Sequence, residues 1–262
     1  MARTILEVKD VHIHFGGLKA IDGCSFHVEE GAITALIGPN GAGKSTMVNV
    51  ISGAYQPNQG SIVFDDAEIT MLPNYARAQR GLIRTFQISR EFANMTVLEN
   101  LLVVRLGQSG EKLFNAIFRA RKSREETNAL VAEANDILNT FGLYRLRNDY
   151  AGNLSGGQKR LLELARAVMA KPKLMLLDEP MAGVTPALVE RLGEHLVELN
   201  RSCGMTLLLV EHNLEVVEKI CSRVVVMATG KQLAEGTLAE LRSNQAVIEA
   251  YLGGGARERV GG

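Results

Sequence analysis

One run of residues near the N-terminal end of the chain has the composition and spacing of a phosphate-binding loop. The run is Gly38-Pro39-Asn40-Gly41-Ala42-Gly43-Lys44-Ser45-Thr46, and it fits the pattern G-x-x-x-x-G-K-[ST]. Glycines let the backbone pass close to phosphate oxygens, because they tolerate positive φ and carry no side chain. Lys44 supplies a mobile positive charge for the β- and γ-phosphates, and the Ser45 hydroxyl suits Mg²⁺.

The elements that must position this loop are also visible in the sequence. The apolar run 32–37 precedes it and predicts a buried strand, and Lys44 to Ser52 follows with a helical pattern. The N-terminus of such a helix attracts anions. The strand–loop–helix context therefore favours a nucleoside triphosphate site over an ordinary glycine-rich turn.

A second pair of chemically competent residues follows another apolar run. Residues 174–177 are all apolar and are followed by Asp178-Glu179-Pro180. Ligands bind at the carboxyl ends of strands in parallel α/β sheets. Two adjacent carboxylates would be costly in a protein core. We therefore predict that Asp178 reaches a Mg²⁺ ion and that Glu179 polarises an attacking water.

A glycine-containing motif lies before the acid pair. Leu154 is followed by Ser155-Gly156-Gly157-Gln158, and apolar residues then recur at helical spacing to Ala170. Taken alone, the motif favours an N-cap on a core helix, with an anion-binding helix end as the alternative.

In chain order the three motifs are the phosphate loop, the glycine-containing motif and the acid pair. In that order they resemble the nucleotide-binding subunit of an ATP-binding cassette (ABC) transporter, and the resemblance covers nearly the whole chain. The resemblance implies an α/β fold: a P-loop ATPase core with a mainly parallel sheet, a small antiparallel β-subdomain and a helical subdomain. It also implies ATP as substrate, Mg²⁺ as cofactor, and hydrolysis coupled to transport.

The resemblance assigns further roles, residue by residue. Phe15 falls at the aromatic that stacks on adenine, Gln87 at the glutamine that touches Mg²⁺ and senses the membrane partner, and His212 at the histidine that contacts the γ-phosphate. Together with Glu179, the residues Lys44, Gln87 and His212 form the expected catalytic set. Ser45, Gln87 and Asp178 form the expected metal set.

Two segments are implied to act on a second subunit. Ser155 to Gln158 caps the γ-phosphate bound to the opposing chain, and residues 182–186 cross to that chain. Thr185 stands where the family more often has aspartate, which leaves the role of that position open. The partner ATPase can be identical or different, since both half-site motifs are intact.

Softer motifs narrow the resemblance to the ATPases of branched-chain amino-acid uptake systems, whose relatives serve urea or short amides. They are Arg84 to Gln87, Met95 to Asn100, the Ala-Gly-x-x-Pro loop and Val247 to Gly253. The implied partners are membrane permease subunits and, indirectly, a solute-binding protein outside the membrane.

Composition limits the class of partner and the place of action. Lys plus Arg equals Asp plus Glu, at 29 each, so the chain lacks the basic footprint of a nucleic-acid-binding protein. No apolar run approaches the roughly 20 residues that span a bilayer, and residues 1–15 lack an apolar signal core. We expect a peripheral protein on the cytoplasmic face of the membrane.

The predicted organisation is a single ABC ATPase domain over 1–252. Its nucleotide-binding core takes 1–94 and 153–252, its helical subdomain takes 95–152, and residues 253–262 form a flexible tail. Thr96 and Glu99 form a capping box where the first helix of the subdomain should begin.

Three rival functions stay open to different degrees. A soluble ABC ATPase acting on ribosomes or DNA is disfavoured by the single cassette and the balanced charge. A non-catalytic subunit is disfavoured because Glu179 and Gly157 are present. An exporter or lipid-extraction ATPase is the serious rival, because the sequence of a cassette indicates ATP hydrolysis more clearly than it indicates the transported substrate.

His12 and His14 lie two residues apart on one face of a predicted strand. A metal pair is conceivable, but the sequence shows no third ligand. An exposed strand face is the favoured interpretation.

Overall fold

The computed structural model describes residues 2–85, 91–108 and 122–257. The chain divides into two compact units. The first consists of Met1–Arg84, Lys173–Ala182 and Val189–Gly262, and the second of Thr85–Pro172 and Gly183–Leu188.

The elements of the described residues follow in chain order. The strands are β1 (Thr4–Phe15), β2 (Leu18–Glu29), β3 (Ile33–Ile37), β4 (Gln59–Phe64), β5 (Ala67–Glu68), β6 (Leu82–Arg84), β7 (Leu174–Asp178), β8 (Thr206–Val210), β9 (Arg223–Ala228) and β10 (Lys231–Gly236). The α-helices are α1 (Lys44–Ser52), α2 (Asn74–Gln79), α3 (Val97–Gln108), α4 (Lys122–Thr140), α5 (Gly156–Met169), α6 (Pro186–Cys203), α7 (Leu214–Ile220), α8 (Leu238–Arg242) and α9 (Gln245–Arg257).

The first unit contains two sheets. One is antiparallel with strand order β2-β1-β4-β5, and the other has order β10-β9-β3-β8-β7-β6. In the second sheet β9, β3, β8, β7 and β6 run parallel and only β10 is antiparallel to its neighbour. Strands β3, β7 and β8 are buried along their whole length, which matches their continuous apolar runs.

The order of the parallel strands decides which loops meet. Strand β8 lies between β3 and β7. The phosphate loop leaves the carboxyl end of β3, and the acid pair lies at the carboxyl end of β7. Residues 211–213 leave the same end of β8, so three strands deliver their following segments to one edge of the sheet.

A buried arginine fixes the helix that follows the phosphate loop. Arg77 is fully buried, and its guanidinium donates hydrogen bonds to the carbonyls of Val50 and Ile51 at the end of α1, at 2.7 and 2.8 Å. It also donates to the carbonyls of Thr70 and Leu72. Burial lowers the pKa of Arg77 to about 10. These bonds satisfy helix-end carbonyls that would otherwise lack donors.

The second unit is helical in its described part, with α3, α4, α5 and two short 3₁₀-helices, Tyr144–Leu146 and Ala151–Asn153. The predicted capping box is present: the Thr96 amide donates to Glu99 at 2.7 Å, and the Glu99 amide donates to the Thr96 hydroxyl at 3.2 Å. Helix α3 accordingly begins at Val97.

The boundaries of the second unit are wider than the predicted helical segment 95–152. The assignment of that segment as a separate working subdomain stays a prediction. At the C-terminus, α9 spans Gln245–Arg257 and so includes the first residues of the segment 253–262, for which a flexible tail stays a prediction. Among the described residues, no helix combines the length and apolarity that crossing a membrane requires.

Candidate nucleotide site

The phosphate loop is packed so closely that two of its glycines cannot be replaced without movement. At Gly38 φ is +149°, and a Cβ would lie 2.0 Å from the carbonyl oxygen of Met227 in β9. At Gly43 φ is +97°, and a Cβ would lie 2.6 Å from the carbonyl oxygen of Ala20 in β2. The loop therefore needs glycine both for its backbone conformation and for its approach to neighbouring strands.

Lys44 is the first residue of α1, and its side chain turns back into the loop. It is 6% exposed, and its Nζ donates hydrogen bonds to the carbonyls of Gly38 at 2.8 Å and Pro39 at 3.0 Å. Burial lowers the pKa of the ammonium, and the carboxylates of Glu179 and Asp178 oppose that shift. A positive charge is thus held between the loop and the acid pair.

Asp178 ends β7 and is 1% exposed. Its Oδ2 accepts a hydrogen bond from Arg84 Nη2 at 2.9 Å, and Arg84 Nη1 donates to Asn49 Oδ1 in α1 at 2.5 Å. Within the described ranges, Asp178 Oδ1 is buried and has no hydrogen-bond donor. A buried carboxylate oxygen without a donor is costly unless a cation faces it, so this oxygen fits a Mg²⁺ ligand.

Glu179 and His212 face each other across the ends of β7 and β8. Their closest atoms, Glu179 Oε1 and His212 Nε2, are 2.9 Å apart. Glu179 has φ of +49°, an uncommon conformation for a residue with a side chain, and its amide donates to the Val210 carbonyl at 3.0 Å. Backbone strain of this kind clusters at functional sites, which favours a chemical role for this carboxylate.

Glu211 is a site residue to which the sequence analysis gave no role. It is 4% exposed, and its carboxylate accepts from the backbone amides of Met181 at 3.0 Å and His212 at 3.2 Å. Burial raises the pKa of Glu211, the surrounding backbone amides oppose the rise, and the charge of Glu179 adds to it. Glu211 therefore ties the segment after Glu179 to the segment that carries His212.

The aromatic expected to contact adenine lies at the end of β1. Phe15 is 46% exposed and packs edge-to-face on Tyr55, with ring centroids 5.4 Å apart. For a second aromatic, Tyr251 of α9, burial raises the pKa of the hydroxyl, and the backbone amide of Gly38 in the phosphate loop opposes the rise. Tyr251 belongs to the motif Val247 to Gly253, which resembles the ATPases of branched-chain amino-acid uptake systems. The structure brings Tyr251 near Gly38 of the phosphate loop.

The glycine-containing motif belongs to the second unit and forms the start of α5. The Ser155 hydroxyl accepts from the Gln158 amide at 3.3 Å, and the Ser155 amide donates to Gln158 Oε1 at 2.9 Å. The N-cap interpretation is confirmed. A Cβ on Gly157 would lie 2.6 Å from Leu188 Cδ2, whereas a Cβ on Gly156 would meet nothing within 4 Å.

Comparison with known proteins identifies the family. Residues 21–182 match the ABC transporter family. The chain belongs to the ABC transporter family. Residues 231–257 also match a family described as branched-chain amino acid ATP-binding cassette transporter.

Curated relatives and solved structures agree with this membership. A probable branched-chain amino acid transport ATP-binding protein, LivG, of Archaeoglobus fulgidus is 42% identical over 95% of each chain. The high-affinity branched-chain amino acid transport ATP-binding protein BraF of Pseudomonas aeruginosa is 40% identical over 97% of this chain and 99% of its own. The crystal structure of the ADP conformation of an ATP-binding cassette of an ABC transporter superposes with TM-score 0.81 at 38% identity, covering 96% of this chain and 99% of that one.

The predicted class, an ATP-binding cassette ATPase of P-loop fold, is thus confirmed. Within the first unit, this ABC ATPase brings Lys44, Asp178, Glu179 and His212 together at one sheet edge. Gln87 lies outside the described residues. The remaining loop residues lie between β3 and the first turn of α1, with these exposures: Pro39 and Thr46 half-buried, Ala42 buried, and Asn40, Gly41 and Ser45 exposed.

Proposed function

We propose that this chain is the ATP-hydrolysing subunit of an importer of branched-chain amino acids or of related small amides or urea. The observation that carries hydrolysis is the grouping of a buried lysine, a buried aspartate and a Glu–His pair at the ends of β3, β7 and β8. The cargo class rests on the relatives, whose names state branched-chain amino acid transport and which match nearly the whole chain.

The site residues have complementary tasks in phosphoryl transfer to water. Lys44 and the loop amides bind the β- and γ-phosphate oxygens. Glu179 orients the water and accepts its proton while the water oxygen attacks the γ-phosphorus and the bond to the ADP oxygen breaks. His212 holds the Glu179 carboxylate at 2.9 Å and contacts the transferring phosphoryl group.

The residues present also fit the expected metal. Asp178 Oδ1 is a buried carboxylate oxygen that receives no hydrogen bond from the part of the chain that the structure describes, and Ser45 follows Lys44 at the start of α1. Gln87, outside the described residues, completes the proposed set. When bound, Mg²⁺ neutralises charge on the phosphate oxygens. Arg84 holds the other Asp178 oxygen, which leaves Oδ1 directed to this task.

The assembly is proposed from the family. Ser155 to Gln158 of one subunit would cap the γ-phosphate bound by a second ATPase subunit, identical or different, so that ATP favours the closed pair. The pair would lie peripherally on the cytoplasmic face of the membrane and bind permease subunits. A solute-binding protein outside the membrane would deliver the transported substrate to these permeases. The equal numbers of acidic and basic residues agree with a role that does not involve nucleic acid.

Uptake by cells that lack the native chain tests the cargo. Cells given the wild-type chain should accumulate labelled leucine, and cells given Glu179→Gln should not. Glu190→Gln, on an exposed part of α6, is the matched control and should restore uptake. Unlabelled urea and acetamide, added as competitors, distinguish the amide alternatives. Normal leucine uptake with Glu179→Gln, or a defect confined to lipid export, would contradict the proposal.

A further inference from the structure

The two histidines at the end of β1 have a third partner that the sequence does not reveal. His12 and His14 project from the same face of β1, since side chains alternate along a strand. Strand β2 runs antiparallel beside it, and Asp22 is the residue directly opposite His12. One ligand atom from each of His12, His14 and Asp22 lies within 4.8 Å of the other two. Two imidazoles and a carboxylate form a donor set typical of zinc-class metals.

Hydrogen bonding orients the first imidazole. His12 Nε2 lies 3.2 Å from Asp10 Oδ1, and His12 Nδ1 lies 3.4 Å from Asp22 Oδ1. An ionised carboxylate only accepts hydrogen bonds, so the tautomer with its proton on Nε2 donates to Asp10 and leaves the Nδ1 lone pair on the side of Asp22. A carboxylate that holds one ring nitrogen while the other faces a metal is the usual arrangement of histidine ligands.

The distance between His12 Nδ1 and Asp22 Oδ1 matches that of two ligand atoms on one cation. Tetrahedral Zn²⁺ with bonds of about 2.0–2.1 Å separates its ligand atoms by roughly 3.4 Å, and His12 Nδ1 and Asp22 Oδ1 are 3.4 Å apart. His14 is exposed, so its ring is free to turn toward this point.

The backbone under the histidines is held in place. The Asn58 amide donates to the His12 carbonyl at 2.8 Å, and Asn58 Oδ1 accepts from the His14 amide at 2.7 Å. These bonds fix both histidines relative to β4, so the ligand positions do not depend on a loose strand end. Phe15, the residue next to His14, is the one expected to contact adenine.

We propose that His12, His14 and Asp22 bind one divalent transition-metal ion of the zinc class, with a coordination position left open to water. None of the three residues belongs to the phosphate loop or to the set proposed for Mg²⁺. The competitors for Asp22 are the ammonium groups of Lys19 at 3.4 Å and Lys231 at 3.5 Å. Both lysine side chains are more than half exposed, so each can swing into solvent when a metal binds.

A zinc titration of the tag-free chain tests this site. Zn²⁺ alone is added against a chromophoric chelator, with excess Mg²⁺ present to occupy the phosphate site. The wild-type chain should bind one zinc, and His14→Ala and Asp22→Asn should each weaken binding at least about tenfold. His27→Ala, on β2 opposite Glu7, is the control and should bind zinc like the wild type.

A second measurement keeps the test decisive if a variant folds poorly. Co²⁺ in place of Zn²⁺ should give the visible absorption of a four- or five-coordinate site in the wild-type chain, and His14→Ala should lose it while its far-ultraviolet circular dichroism is unchanged. Unaltered zinc affinity in both variants would overturn the proposal. So would the absence of saturable binding.

Discussion

At the scale of single residues, Glu179 is the group that we propose as the catalytic carboxylate. Its carboxylate is held by His212 at 2.9 Å on a backbone with positive φ. We expect Glu179→Gln to bind ATP normally, because the proposed phosphate contacts come from Lys44 and the loop. Its turnover should fall by about 10²–10³, since the amide accepts no proton from water. Phosphate release and nucleotide binding, measured on the same preparation, check both parts.

The control for that variant is Glu190→Gln, which changes an exposed carboxylate whose ion pair with Lys219 spans 3.9 Å. It should hydrolyse ATP at the wild-type rate. If Glu179→Gln hydrolysed ATP as fast as this control, the assignment of the catalytic carboxylate would be wrong.

The buried Glu211 predicts a pH dependence of stability. Its pKa in the folded chain is raised above its ordinary value near 4.5. The folded state therefore binds more protons than the unfolded state. The contribution of Glu211 to stability is complete below pH 4.5 and is lost as pH rises through the raised value. Glutamine does not titrate, so the unfolding free energy of the wild type minus that of Glu211→Gln should decrease with rising pH.

Urea unfolding at a series of pH values from 4 to 8 measures this difference. Glu190→Gln, at an exposed position, serves again as the reference and should show no comparable trend. The unfolding free energy of the wild type minus that of Glu211→Gln could instead stay constant or grow with pH. That result would contradict a raised pKa of the buried Glu211 carboxyl.

The residues that carry chemistry were predictable only where local spacing encodes them. The loop glycines and Lys44 follow one contiguous pattern, and Asp178 and Glu179 follow an apolar strand. Glu211 has no such signature, because its partners, the amides of Met181 and His212, meet it only when β7 and β8 lie side by side. Arg84 belongs to a motif of the sequence, but its bond to Asp178 was not predictable, because it joins residues 94 positions apart.

At the scale of elements, the phosphate loop depends on the strands beside it. Gly38 leaves no space for a Cβ, which would lie 2.0 Å from the Met227 carbonyl oxygen. We expect Gly38→Ala to lower the unfolding free energy by about 2 kcal/mol or more and to weaken ATP binding, because the loop must shift away from β9. Equilibrium unfolding and nucleotide titration measure the two effects.

Gly41→Ala separates backbone strain from steric conflict. Its φ of +76° disfavours alanine, but a Cβ there would meet nothing within 4 Å. The cost should stay near 1–2 kcal/mol. If Gly38→Ala and Gly41→Ala lowered the unfolding free energy equally, the close approach of Gly38 to β9 would not contribute to stability.

The strands themselves were predictable, and their order was not. Continuous apolar runs identify β3, β7 and β8 as buried parallel strands. Those runs do not predict that β8 lies between β3 and β7. The strand order follows from helix packing and crossover connections. The proximity of Asp22 to the histidines of β1 was not predictable for the same reason. Asp22 lies opposite His12 only because of the register between β1 and β2.

At the scale of the whole molecule, a single cassette is incomplete if its glycine-containing motif serves a second subunit. Gly156 begins α5 and has open space around it, so a side chain there would leave the fold of the second unit intact. The proposed role as an ATPase that powers a membrane importer therefore depends on which proteins bind this chain when ATP holds the subunits together.

The most direct measurement of that claim is co-purification from native membranes with tagged Glu179→Gln chain and ATP, followed by mass spectrometry. We predict two hydrophobic permeases, a second ATPase subunit and a solute-binding protein. Adding Gly156→Glu should reduce ATP-dependent recovery of the second ATPase subunit, because the new charge repels phosphate. Recovery of only ribosomal or DNA-bound proteins would contradict the account, and a lipid-export assembly would contradict the cargo.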